Sequence, residues 1–328
     1  IRRPPRSTPK PSSAASDVYK RQYLDTVSAA AADSFTFEGQ RVGLPLQVSQ
    51  VAWWYNKDLI NQAGVDVSQI KVWDDLISAV KQIKAAGITP ICMGGKDKWP
   101  VHFVWTHLHI RNGGKGLFLE SLNNGGWDRP EYIRSGEQML ELVELEPFQK
   151  GWLAATWPDQ AGFFGDGKCA MAFMGNWMYG AQASNSASGE GLADANMGMF
   201  NMPMTSGGIG DSGDTLGGIN GWLFSSSAPD SAVELIMHYV SLDIQKEDAS
   251  LGAYIPIVNG ADVSLTNPFL QQVAQNISNS EYHQIFYDQF LGADIGRVVN
   301  DVSTDLAAGI ISAEEATQAV QEAWEFNQ

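Results

Sequence analysis

The 328-residue chain predicts an α/β fold of two lobes. Three observations carry that expectation. Short apolar runs alternate with amphipathic helical stretches, the pattern of strands packed against helices. One segment, Gly43 to Gly64, changes character three times in 22 residues. Gly-rich turns follow several apolar runs, and ligands of α/β proteins bind beyond the carboxyl ends of strands. Mostly parallel sheets are expected, and no internal repeat is visible.

Taken in order, Tyr23 to Ser34 is the end of an Ala-rich helix, and Phe35 to Gln40 is a strand and turn. In GLPLQVSQVAWWYNKDLINQAG, an apolar run with Pro45 gives way to polar Gln47, Ser49 and Gln50. An aromatic block, Trp53-Trp54-Tyr55, comes next, and Asn56-Lys57-Asp58 opens a short helix that stops at Gly64. Proline has no N–H to give to a central ladder, so Pro45 marks an edge or a crossing. The stretch reads either as a hinge strand passing between lobes or as a buried strand followed by a surface helix. Trp73 to Ala86 is an amphipathic helix, with Trp73, Leu76, Ile77, Val80 and Ile83 on one face and Gly87 as its stop.

Ile88 to Met93 reads as a short strand ending at Gly94-Gly95. Helices follow through Leu108 and around Glu131 to Leu145. Cys169–Met174, Met197–Met202 and Gly217–Ser225 are strands, Thr205–Gly213 is a flexible loop, and Pro229–Ser241 is a helix. Ser312 to Glu315 forms a capping box for the last helix.

Composition excludes several classes of function. The net charge is −16, but residues 1–22 carry six Lys/Arg and one acid. That stretch is therefore basic, and the rest of the chain is more acidic than the total. Such a surface repels phosphate backbones and anionic lipid, so no nucleic-acid partner is expected. No run of about 18 apolar residues is present to span a membrane. Residues 1–22 are Pro/Ser/Arg-rich without periodicity and are expected to be disordered. They resemble translated adapter sequence; a basic docking tail is the alternative. Cys92 and Cys169 lie in apolar contexts and read as buried small residues, with a disulfide between them left open.

The candidate chemistry narrows by elimination. Gly208 to Gly213 matches GxGxxG, but a loop precedes it and a strand follows, so a dinucleotide site is not expected. His102, His107 and His109 fit no common zinc spacing, and no metal or cofactor is expected. Asp97 and Asp288, near aromatic residues, are the pair a hydrolase would use. What remains is a set of aromatic and amide groups at strand ends. Gln47 and Gln50 lie at the crossing, Asp97 and Trp99 follow Gly94-Gly95, Trp177 follows Gly175-Asn176, and Asn220 and Trp222 follow Gly217-Gly218. Eleven Trp, whose indole faces suit the CH-rich faces of sugars, strengthen a ligand-binding reading. Trp53 and Trp54 alternate in direction, so one of them, Trp53, joins the candidates.

These motifs together carry a resemblance. Gly43-Leu44-Pro45, Trp54-Tyr55-Asn56-Lys57-Asp58-Leu59, Ala63-Gly64, Trp73-Asp74-Asp75-Leu76, Pro90-Ile91 and Gly94-Gly95-Lys96-Asp97 stand in order. Arg111 to Gly114, Phe164 to Met171, Gly175-Asn176-Trp177, Gly217 to Trp222 and Leu306 to Gly309 follow. From about Val42 to the C-terminus the chain is similar to the extracellular solute-binding proteins of ABC sugar importers (family 1, like the maltose- and oligosaccharide-binding proteins). The resemblance implies a type II periplasmic-binding-protein fold: two α/β lobes joined by hinge strands, closing on a carbohydrate in the interlobe cleft. It implies a monomer that passes the sugar to the membrane permease of an ABC importer, in the periplasm or lipid-anchored outside the cell, with no catalytic step.

The first lobe is expected to be incomplete, built from 23–46 and 205–284, with 47–204 and 285–328 forming the second lobe. A non-functional gene fragment is the alternative to that picture. Trp177, with Trp99 or Trp222, would stack on sugar, and Asp97, Gln47, Gln50 and Asn220 would bond hydroxyls. Val72 stands where the family usually has a helix-capping Thr.

Overall fold

A computed structural model describes residues 22–37, 40–225 and 227–328. The expected disordered tail, apart from Gln22, and the turn at Glu38-Gly39 lie outside those residues; Gln22 is helical. The chain forms two compact units. Unit 1 takes the described residues through Ser49 together with Gly218–Gln275, and unit 2 takes Gln50–Gly217 and Asn276–Gln328. The chain passes between units at 49/50, 217/218 and 275/276, displaced from the 46/47, 204/205 and 284/285 expected. The loop 205–217, expected in the first lobe, belongs to unit 2.

Eight strands are described: β1 Thr36–Phe37, β2 Gln40–Arg41, β3 Gly43–Asn56, β4 Met171–Gly175, β5 Met197–Phe200, β6 Thr215–Leu223, β7 Ile255–Pro256 and β8 His283–Ile285. In unit 1, Gln47 pairs with Pro256 and Val48 with Ile255, antiparallel. Pro256 has no N–H, which suits the short strand it ends. Ser49 Oγ accepts from Gly218 N at 3.1 Å. The core of unit 1 gathers Tyr23, Leu24, Val27, Leu44, Val240, Val258 and Ala261. The Tyr23 hydroxyl donates to the Pro45 carbonyl at 2.5 Å, so the proline's free acceptor is used. Gly43 has no room for a Cβ, which would fall 2.2 Å from the Trp222 carbonyl oxygen.

In unit 2 the second half of β3 is the central strand. It pairs antiparallel with β4, from Val51↔Gly175 to Tyr55↔Met171, and with β5, from Trp53↔Phe200 to Asn56↔Met197. β6 and β8 are parallel, from Thr215↔His283 to Gly217↔Ile285. The expectation of mostly parallel sheets is corrected here. Alternation of strands and helices sets an α/β composition, but strands joined through several helices are not bound to the parallel direction of a single crossover.

Ile88–Met93 is not a strand. Pro90 removes a donor, and only Ile91 makes isolated bridges, to Phe148 and Met171. The helix Trp73–Ala85 buries the face expected of it. Asp75 Oδ2 accepts from Val72 N at 2.9 Å and Lys71 N at 3.0 Å, so a carboxylate satisfies these donors where Val72 has no side-chain oxygen. The Ser312–Glu315 box forms as expected ahead of helix Ala313–Phe326.

The helix Trp99–Asn124 organises unit 2. Every residue from Pro100 to Gly114 is buried, and Gly114 breaks the helix at φ 62°. Arg111, fully buried, donates from Nη1 to the carbonyls of Asp211 at 2.8 Å and Asp214 at 2.9 Å, and from Nη2 to Met202 at 3.0 Å and Ser212 at 3.3 Å. Thr205 Oγ1 donates to Asn112 Oδ1 at 2.7 Å. The 205–213 segment, expected to be flexible, is thus pinned to this helix. Its glycines allow the approach: a Cβ on Gly210 would lie 2.1 Å from the Ile110 oxygen, and one on Gly208 would lie 2.3 Å from the Arg111 oxygen. The GxGxxG string here is a packing device.

Cys92 and Cys169 are joined in a disulfide, Cα atoms 5.5 Å apart. Both are buried as expected, and the pairing that the sequence left open is made. Their apolar surroundings showed burial, while the pairing depends on backbone segments 77 residues apart in sequence.

Candidate functional site

Unit 2 brings three tryptophans together from three separate elements. Trp99 starts the helix Trp99–Asn124, Trp157 starts the helix Trp157–Gly165, and Trp177 follows β4. Ring centroids are 5.8 Å apart for Trp99–Trp157, 6.3 Å for Trp99–Trp177 and 6.4 Å for Trp157–Trp177. The planes meet at 56°, 55° and 85°, so the indoles form a corner rather than a stack. All three are half-buried. Beneath them lie Phe103 and Phe286, both buried and stacked at 4.6 Å, with Phe103 6.3 Å and Phe286 6.2 Å from Trp177.

Local sequence explains each placement. Gly175 has no side chain, and a Cβ there would strike the Trp177 ring at 2.1 Å, so the indole lies against the backbone. Thr156 Oγ1 accepts from Asp159 N at 3.3 Å, and Asp159 Oδ2 accepts from Thr156 N at 2.8 Å, a capping box that starts the Trp157 helix. The Thr156 N–H holds the Asp159 carboxyl below the usual range, with the Thr156 hydroxyl adding to it. Asp97 Oδ2 accepts from Trp157 N at 2.7 Å. Lys98, at φ 63°, turns the chain between Asp97 and Trp99 and donates from Nζ to Asp301 Oδ1 at 2.7 Å.

The other expected site residues are distributed as follows. Trp53 is fully buried, its ring 4.8 Å from Phe173 and 6.2 Å from Phe200. It is core and not open to a ligand: Phe173 and Phe200 are its cross-strand partners, and both faces of β3 are buried here, Trp54 as fully as Trp53. Gln50 is 1% exposed, and its Nε2 donates to Asn201 Oδ1 at 3.0 Å, an oxygen that also accepts from Asn276 Nδ2. Its backbone N donates to Asn176 Oδ1 at 3.1 Å. In this arrangement Gln50 braces the turn before Trp177 and presents no open surface. Asp97 is exposed, with one carboxylate oxygen committed to the Trp157 N–H. In unit 1, Gln47 is half-buried, Asn220 is exposed, and Trp222 is 42% exposed with its ring edge against Tyr239 at 6.0 Å. Trp157, Phe103 and Phe286 were not singled out from the sequence. The signal for Trp157 was its place between Thr156 and Asp159 in a capping box.

Asp288 is engaged with Asn300 and lies near His102: its Oδ2 accepts from Asn300 Nδ2 at 3.2 Å, and its Oδ1 lies 3.8 Å from His102 Nε2. His102, His107 and His109 are buried on the helix Trp99–Asn124, and burial pushes each imidazole's pKa down, that of His109 to about 3. They are neutral ring-packing groups: His109 lies 4.5 Å from both Trp105 and Tyr132, and His107 lies 5.8 Å from Phe173. Among the described residues no group of three His, Cys, Asp or Glu could hold a metal, and no helix is long and apolar enough to cross a membrane.

The fold is of the two-unit α/β class. It matches a structure from work on xylan utilisation by Caldanaerobius polysaccharolyticus with a TM-score of 0.84 at 24% identity, covering 93% of this chain and 79% of that one. A chitin oligosaccharide binding protein matches with a TM-score of 0.83 at 22% identity, covering 94% and 77%. The chain belongs to the bacterial extracellular solute-binding protein family, whose profile matches residues 8–243. An uncharacterised ABC transporter extracellular-binding protein of Pyrococcus horikoshii is 28% identical over 146 residues, which cover 44% of this chain and 33% of that protein. The chain spans about a third of the length of the first curated relatives it matches.

Proposed function

We propose that this protein binds a carbohydrate, an oligosaccharide in preference to a single sugar, and delivers it to the membrane permease of an ABC importer. The observation that carries the reading is the corner of Trp99, Trp157 and Trp177. Large apolar side chains are normally buried, and three indoles left half-open over an aromatic floor mark a binding surface. An indole face accepts the CH face of a pyranose, and three faces at steep angles can grip more than one ring of a saccharide. Family membership supports the transport role, residence outside the cytoplasmic membrane and action as a monomer. It supports binding without turnover, because the family and the similar structures are binding proteins.

Calorimetric titration of the protein with xylo-, chito-, cello- and malto-oligosaccharides, with tryptophan fluorescence in parallel, tests the reading. Saturable binding to one series, with a shift in tryptophan emission, is expected. Silence against the whole panel would count against the proposal. Turnover of a saccharide would favour a hydrolase using Asp97 or Asp288.

A further inference from the structure

The Cys92–Cys169 disulfide sits at the root of the tryptophan corner. Both cysteines are fully buried. Cys92 N donates to Met171 O at 2.9 Å, and Ala170 N donates to Thr89 O at 2.9 Å, so the two cysteine segments run side by side. From each cysteine the chain leads directly to the corner. After Cys169 come β4, Gly175 and then Trp177. After Cys92 come the Gly94-Gly95 turn, Asp97 and then Trp99.

The stretch from Cys92 to Asp97 is also stitched to the segment that carries Trp157. Met93 N donates to Gln149 Oε1 at 2.9 Å, and Gly94 N donates to Gln160 Oε1 at 3.0 Å. Gly95 N reaches Trp152 O at 2.8 Å, and Lys96 N reaches Ala155 O at 3.0 Å. Asp97 then holds Trp157 N at 2.7 Å. Trp99 and Trp157 are thus joined by hydrogen bonds, while the helix of Trp157 runs on in sequence through Cys169 to Trp177.

We propose that the Cys92–Cys169 disulfide is a positioning device for the corner, fixing the segment that leads to Trp99 against the segment that leads to Trp177. Its use in sugar binding rests on the function proposed above. The backbone bonds between the two cysteine segments are few and lie on one short stretch, and Pro90 removes a donor that a longer ladder would have used. A covalent tie at that point limits the sliding and twisting that a short ladder allows. Binding surfaces need such support, because rings displaced by a fraction of an ångström lose their shared contact with a rigid ligand. Protein disulfides persist in oxidising surroundings, which agrees with an extracellular family.

The test replaces the pair together, as Cys92→Ala with Cys169→Ala, and separately as Cys92→Val with Cys169→Ala to refill the space. Both are compared with the parent well below the unfolding temperature, where far-ultraviolet circular dichroism shows a full fold. The readouts are the long-wavelength tryptophan bands of the near-ultraviolet spectrum, where a disulfide does not absorb, and acrylamide quenching of emission. Trp177→Ala identifies the part of the spectrum that the corner supplies.

Loss of most of that part in a folded double variant, with easier quenching, is the expected result. An unchanged tryptophan spectrum with only a lower Tm would reduce the disulfide to a stabiliser and overturn the proposal. Failure of both double variants to fold would overturn it as well, since the bond would then hold the unit together rather than set the corner. No saccharide enters these measurements. Absence of sugar binding by the parent would defeat the function proposed above and leave the positioning result standing.

Discussion

The carboxylate of Asp97 accepts the backbone N–H of Trp157 at 2.7 Å, across 60 residues of sequence. It adds an anion to the first turn of the Trp157–Gly165 helix, where the exposed N–H groups and the helix dipole favour negative charge. The same residue lies two positions before Trp99. One side chain therefore sets the relation between two walls of the tryptophan corner.

Asp97→Ala should lower stability by about 1 kcal/mol, the usual worth of a lost N-terminal cap, and should also weaken saccharide binding. Asp97→Asn keeps an acceptor oxygen and should retain most of both. Urea denaturation beside calorimetry separates the two effects. If the alanine variant bound as tightly as the parent, Asp97 would have no part in arranging the corner.

Trp99→Ala, Trp157→Ala and Trp177→Ala should each weaken binding by about 2 kcal/mol, roughly thirtyfold in Kd, as expected for aromatic anchors at the centre of a contact. Their half-buried positions imply smaller losses of stability than a core tryptophan would show. Trp53→Ala should do the reverse, costing about 3–5 kcal/mol of stability through the cavity it leaves. Titration and denaturation of all four variants would show whether the two classes separate.

Arg111→Met should destabilise unit 2 by about 3–5 kcal/mol. The guanidinium supplies the carbonyls of Met202, Asp211, Ser212 and Asp214, and methionine leaves those acceptors without donors. Arg111→Lys keeps the charge but not the planar fork, and should recover little. Hydrogen exchange at 205–214 should rise in both variants, and an unchanged exchange pattern there would contradict the pinning role.

Acid should weaken the fold well before the carboxylates protonate. His102, His107 and His109 are held neutral by burial, so their folded-state pKa values lie below the unfolded value of about 6.5. The unfolded chain then binds more protons, and stability falls as pH drops below about 6.5. Each imidazole contributes about 1.4 kcal/mol per pH unit until its folded pKa is reached, about 3 for His109. Above that window the imidazoles confer no pH dependence. Denaturation midpoints measured from pH 7.5 to about 4 should fall steadily, and His109→Phe should flatten the slope by one residue's share.

Much of the fold was legible because local patterns had local causes. The apolar face of Trp73–Ala85, the Ser312 capping box and the buried strand β4 all follow from residues within a few positions of one another. The corner was half legible for the same reason. Trp99 and Trp177 follow Gly-bearing turns, while Trp157 joins them through long-range contacts such as those of Asp97 and the Gln160 amide, which no spacing rule reveals. Trp53 was misplaced because alternation along a strand predicts one open face, whereas β3 is buried on both faces at Trp53 and Trp54. The Cys92–Cys169 bond and the Arg111 staple are products of long-range folding, and sequence supplied only their chemistry.

The wholly enclosed helix from Pro100 to Gly114 has a kinetic consequence. Its amides meet water only when the surrounding unit opens, so they should be the slowest in the molecule to exchange their hydrogens. Trp99 stands on the first turn of that helix. One wall of the proposed binding surface is thus anchored to the part of the chain that fluctuates least, and whatever adapts when a ligand arrives must be sought in the segments around it.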